Sequence, residues 1–291
     1  MHRRRFFAQV ASAAATTALA SRGLAAVAST PALVDTNVWL GHWPTRRSWA
    51  DSPAQLVARL RGHGVTSAWA GSFDGALHTD IAAVNVRLAE SCARDGAGLL
   101  VPFGTVNPTL PDWEDDLRRC HEVHRMPGVR LLPNYHGYAL DDVRFARLLD
   151  LATQRRLVVQ IALTMEADRS QNPAFTAAPV QPAPLADLVE KNRPARVMLL
   201  NATSRLLAAS NPLLKRLSAA GVTVETATLE GAGGIGQLLH GVPALRLAFG
   251  SHAPYFYFEA ALLKLQESAL APDQLAAICS GHAHAVLDRF P

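Results

Sequence analysis

Two histidines, a set of amides and five acids stand out because they follow short apolar runs. These are Asn37, Asp74, Asn107, the Asn134-Tyr135-His136 triplet, Gln160 with the downstream Glu166-Ala167-Asp168-Arg169, Asn201, Glu225 with Glu230, and Ser251-His252. A histidine in such a place can move protons near neutral pH, so His136 and His252 are the candidate catalytic groups. Asn37, Asn134, Tyr135, Gln160, Asn201 and Glu225 are candidates for holding a small polar substrate. Arg130 lies inside an apolar run. Pointing inward it could hold a carboxylate of a ligand, or, paired with a barrel-interior acid, it would be purely structural.

The apolar runs that position these groups are Leu33–Asn37, Ser67–Ala70, Leu99–Val106, Val129–Leu132, Leu157–Leu163, Arg196–Asn201, Val222–Thr226 and Leu245–Gly250. They are continuous rather than alternating, as strands buried on both faces should be. Helical patterns separate them. Ser52-Pro53 reads as an N-cap with proline at the first helical position, and Gly62 and Gly64 as the stop. Ile81, Val84, Leu88 and Cys92 keep helical spacing after Asp80. Further helices are expected after Asp112 and Asp142, over Tyr257 to Ser268, and as one run from Asp273 to Leu287. Strand alternating with helix eight times predicts an α/β fold, a single-domain (β/α)8 TIM barrel over residues 29–291. The competing open sheet would carry a glycine-rich phosphate turn after its first strand, and Asp35-Thr36-Asn37-Val38-Trp39 is no such turn.

Residues 1–28 read differently. Arg3-Arg4-Arg5-Phe6-Phe7 precedes an Ala/Thr-rich stretch and an Ala26-Val27-Ala28 cleavage site, the grammar of a twin-arginine signal peptide. The expectation is an exported protein, periplasmic or extracellular, with no stable membrane anchor once the leader is removed. The leader also explains the basic pI of about 9.2. Setting aside its four arginines leaves 24 basic side chains against 24 acidic ones. A neutral body has no electrostatic footprint for nucleic acid. The partner expected is a small-molecule substrate, with homo-oligomerisation left open.

Three stretches resemble the amidohydrolase-related family of metal-dependent hydrolases and decarboxylases: Val34 to Gly41, Gly128 to Tyr138 and Phe249 to Pro254. The resemblance implies a β/α barrel and, in most members, a divalent metal held at strand ends. Position by position the ligands are replaced. The first-strand His-x-His is Asn37 and Trp39, the fifth-strand histidine falls near Gln160 or Ala162, the sixth near Asn201, and the last turn reads Gly250-Ser251-His252. No metal ligand is therefore assigned, since zinc needs three or four close N, S or O donors.

Three functions stay open. The first is a hydrolase acting on a lactone, ester or amide without the usual catalytic metal. The second is a non-catalytic barrel that binds a small ligand. The third is a zinc- or manganese-dependent hydrolase or decarboxylase using His136, His252 and Glu225.

Other features carry less. His282-Ala283-His284 sits in a helix, where i and i+2 point to different faces. The Gly231-Ala232-Gly233-Gly234 turn lacks a Lys-Ser/Thr to hold phosphate. Cys92, Cys120 and Cys279 are too few for a disulfide framework. Asn172 to Pro184 is long for a connection and reads as an excursion over the barrel mouth.

Overall fold

In the computed structural model, eight strands pair in sequence order, every pair parallel. The structure describes residues 32–50, 52–192 and 194–287, so the expected signal segment lies outside the described residues. The strands are β1 (Leu33–Leu40), β2 (Val65–Ser72), β3 (Leu100–Gly104), β4 (Gly128–Leu131), β5 (Val158–Ala162), β6 (Arg196–Leu200), β7 (Thr223–Glu225) and β8 (Arg246–Ala248). All eight coincide with the apolar runs of the sequence. Closure between the last strand and the first uses few bonds. The Thr36 N–H and Oγ1 both donate to the Phe249 carbonyl at 2.9 Å, and the Trp39 N–H donates to the Ala253 carbonyl at 2.8 Å. Eight parallel strands in a nearly closed ring, alternating with helices, make a (β/α)8 barrel.

The helices are α1 (Pro53–Gly62), α2 (Ile81–Asp95), α3 (Trp113–Glu122), α4 (Pro133–His136), α5 (Val143–Gln154), α6 (Ala183–Lys191), α7 (Pro212–Ala219), α8 (Gly234–Gly241) and α9 (Phe258–Glu267). Ser52, Asp80 and Asp142 cap their helices as expected, each side chain accepting from a first-turn N–H. The single terminal helix expected from Asp273 is instead three consecutive pieces, Pro272–Ala276, a π-helical turn Ala277–Gly281, and His282–Leu287. An apolar periodicity does not register one extra residue in a turn, which is all a π-bulge requires.

The core has two layers, separated by the alternation of each strand. Val159, Ile161, Val197 and Leu199 face outward to the helices, while Val158, Ala162, Met198 and Leu200 face the barrel axis with Trp39, Trp69 and Phe103. Arg130 and Gln160 take axial positions in register with Met198, so two polar side chains sit where apolar ones are the rule.

Candidate functional site

At the centre of the barrel Arg130 is wholly buried. Its Nε donates to Gln160 Oε1 at 2.8 Å, Nη1 to the Val38 carbonyl at 2.6 Å, and Nη2 to the carbonyls of Trp69 and Thr36 at 2.9 and 3.2 Å. The guanidinium also lies 4.5 Å over the Trp39 ring. These carbonyls are available because the pairing of β1 with β2 slips between Asp35 and Val38. Burial lowers the arginine to about 9, opposed by the charges of Asp35 and Glu225. Gly71 makes the room: a Cβ there would lie 2.8 Å from Arg130 Cδ and Nη1. No acid pairs directly with the guanidinium, contrary to the sequence alternative of an interior ion pair, because backbone carbonyls occupy its donors.

Above this layer the strand-end groups bond to one another. Trp39 Nε1 donates to Asn37 Oδ1 at 2.8 Å, and Asn37 Nδ2 to Asn201 Oδ1 at 2.8 Å. Asn201 Nδ2 lies 2.8 Å from the Thr164 carbonyl and 3.3 Å from His252 Nδ1. His252 Nε2 meets the Met165 carbonyl at 3.1 Å. A carbonyl only accepts, so Nε2 carries the proton and Nδ1 accepts from the amide. Asn201 and His252 turn inward through left-handed backbone, with φ of 51° and 56°. Burial lowers the imidazole to about 3, which keeps it neutral.

Two buried carboxylates brace the ring. Glu225 accepts from the backbone N–H groups of Asn201 at 2.6 Å and Ala227 at 2.5 Å, and burial raises its pKa. Asp35 accepts from Ser251 N and Oγ and from Asn37 N, and burial raises it to about 7.

This ring does not fit the metal that the family resemblance implies. The oxygens of Asn37 and Asn201 already accept protein hydrogens, Trp39 is a donor, and both nitrogens of His252 are engaged. Among the described residues, no cluster of three His, Cys, Asp or Glu side chains could hold a metal ion.

The other sequence candidates lie on the β4 side of the mouth. His136 is half-buried at the end of α4, its Nε2 2.8 Å from the Gly75 carbonyl and its Nδ1 buried without a partner. Burial lowers its pKa. Asn134 donates to the Ala178 carbonyl at 3.1 Å, and Tyr135 packs on Trp43 and Phe175. The Asn172–Pro184 excursion thus folds over the mouth, as its length suggested.

The open space lies elsewhere, over the ends of β5 to β8. A cavity of about 680 Å³ is lined there by segments following all four strands and by α9. None of the nine residues singled out from the sequence lines it. Its polar walls include Thr164, Glu166, Ser251, Glu230 and Lys264. Glu166 is only 2% exposed. Its Oε1 accepts from the Tyr255 hydroxyl, and its Oε2 has no partner. The Lys264 ammonium donates to the carbonyls of Thr226 and Ala227, and burial lowers its pKa. Sequence reasoning placed Glu166 behind the fifth strand without selecting it. It missed Lys264, which on a helix face looks like any solvated lysine; its signal was the small pair Ala260 and Ala261 one turn earlier.

A (β/α)8 barrel with a ligand-sized cavity at the C-terminal strand ends is the class that fold and site define. Three solved structures share the fold over most of both chains. One is 5-carboxyvanillate decarboxylase from Sphingomonas paucimobilis, at TM-score 0.66 and 12% identity, covering 90% of this chain and 100% of that one. Another is a dihydroxybenzoic acid decarboxylase from Polaromonas with bound manganese and an inhibitor, at TM-score 0.67 and 11% identity, covering 89% and 97%. The third is a probable 2-pyrone-4,6-dicarboxylic acid hydrolase from Acinetobacter baumannii with citric acid bound, at TM-score 0.60 and 12% identity, covering 88% and 98%. No protein-family model and no curated protein matches the chain. Among the described residues no helix is long and apolar enough to cross a membrane.

Proposed function

We propose that this chain is an exported, divergent barrel of the amidohydrolase-related kind that binds a small molecule in the cavity over β5–β8 and does not use a strand-end metal. The carrying observation is the pairing of two features. The polar ring at the ligand positions is closed on itself, while a cavity large enough for a small organic molecule opens beside it. A site whose donors and acceptors are already matched offers a ligand little, whereas an unmatched buried acceptor favours any partner that reaches it. Glu166 Oε2 is that acceptor.

A second reading, metal-independent hydrolysis of a lactone, ester or amide, is favoured by the same oxygen. Glu166 Oε2 is closed to solvent, so the side chain must turn toward the cavity before that oxygen can take a proton from water as the water attacks a carbonyl carbon. His252 is poorly suited to that work, since both its nitrogens are engaged and burial holds it neutral.

The test is thermal-shift and turnover screening of residues 29–291 against small molecules, lactones, esters and amides, beside the cavity-filling variant Ala232→Trp. Ala232 is exposed on the cavity wall, so the variant should fold. Shifts lost in Ala232→Trp support the binding site, and turnover lost in Glu166→Gln supports hydrolysis. Ligands that bind both proteins equally contradict the assignment of the cavity.

A further inference from the structure

We infer that the ligand of this cavity is an organic cation, a compact molecule carrying a protonated amine or quaternary ammonium beside an apolar or aromatic body. The inference rests on the reading of the cavity as the ligand site. Three carboxylates, Glu166, Glu230 and Glu267, line it against one ammonium, Lys264. They differ in depth. Glu230 and Glu267 are exposed at the rim, where they raise the local concentration of cations. Glu166 lines the cavity at 2% exposure and holds an oxygen that no protein donor reaches; that oxygen is closed to solvent here, and a turn of the side chain brings it to a ligand. A buried carboxylate oxygen left unmatched is costly, and an N–H⁺ donor compensates it better than a neutral one.

The lysine does not cancel this. Its Nζ is turned to the carbonyls of Thr226 and Ala227, and the Glu225 and Glu230 carboxylates face it. Arg46 stacks 4.7 Å over the Tyr255 ring but is not part of the cavity wall. Phe256 and Tyr257 add aromatic surface to the wall, and Met165, Ala202 and Leu229 supply apolar contact. Aromatic faces attract ammonium groups and gain nothing from anions.

The experiment compares three probes of one shape, benzylamine, benzyl alcohol and benzoate, by calorimetry or ligand-observed NMR on the protein. Benzylamine should bind at least about tenfold more tightly than benzoate, with the alcohol between, since a charge-assisted hydrogen bond to a buried carboxylate is stronger than a neutral one. Glu166→Gln should erase the preference, weakening benzylamine far more than benzyl alcohol. The exposed double variant Glu230→Gln/Glu267→Gln should reduce the preference about twofold and flatten its salt dependence, so the answer does not hang on whether Glu166→Gln folds. Equal binding of all three probes, or preference for benzoate, overturns the cation assignment and leaves the cavity a ligand site. Binding that survives Ala232→Trp, or no binding by any probe, overturns both.

Discussion

Substituting His252 by glutamine separates a histidine that handles protons from one held neutral. Glutamine can donate to the Met165 carbonyl and accept from Asn201 as the imidazole does, but it does not titrate. Burial lowers the wild-type imidazole from 6.5 to about 3. With the folded value depressed, the unfolded chain takes up the proton first. Stability from this group is therefore complete above about pH 6.5 and is lost as pH falls toward 3. Between pH 7 and pH 5 the linkage relation gives a loss of about 2 kcal/mol for wild type and none for the variant. Urea unfolding of both proteins at pH 7, 6 and 5 reads this as a gap between the curves, in which shared contributions such as Asp35 cancel. The expected result is that wild type loses about 2 kcal/mol relative to His252→Gln across that interval. Parallel curves, or wild type gaining on acidification, would mean that the folded imidazole binds the proton. His252 would then return as an acid or base at the strand ends.

Asp35 has the opposite sign. Its folded value lies near 7, above the usual 3.8, so its contribution is complete below pH 3.8 and is lost as pH rises through 7. Wild type should lose about 2–3 kcal/mol relative to Asp35→Asn between pH 5 and pH 8 in the same assay. Gly71→Ala places a methyl 2.8 Å from the Arg130 side chain, which four hydrogen bonds hold in place; a destabilisation of about 1–3 kcal/mol should appear as a lower urea midpoint. Cys92 and Cys120 are buried with thiols pushed up to about 12, so a disulfide reagent such as DTNB should label them only at the rate of unfolding. Rapid labelling of the folded protein would contradict that burial.

The barrel was legible because strands buried on both faces must be continuously apolar, and helix starts such as Ser52-Pro53 and Asp142 carry their caps in the sequence. The terminal helix was legible except for its π turn. The site was read at the level of which segments meet, and less well at the level of which atoms are free. Asn37, Asn201 and His252 do converge, yet their spacing does not reveal that Asn201 partners both of the others, or that Gln160 is taken up by Arg130 and the Thr36 carbonyl. Arg130 was legible as an inward arginine, but its acceptors come from a slipped strand pairing that periodicity does not encode. Glu166 and Lys264 approach one cavity from segments nearly a hundred residues apart, and only the closed barrel brings them together.

On the proposed reading, ligands meet this protein in the cavity walled by Glu166 and Lys264 and not in the closed ring of Asn37, Asn201 and His252. A crystallographic fragment soak of residues 29–291, with manganese present, tests it most directly. Fragment density is expected against Glu166, with no manganese anomalous peak within coordination distance of Asn37, Asn201 or His252. A manganese peak at that ring, or fragments seated on it with the cavity vacant, would place ligand binding at the ring and not in the cavity.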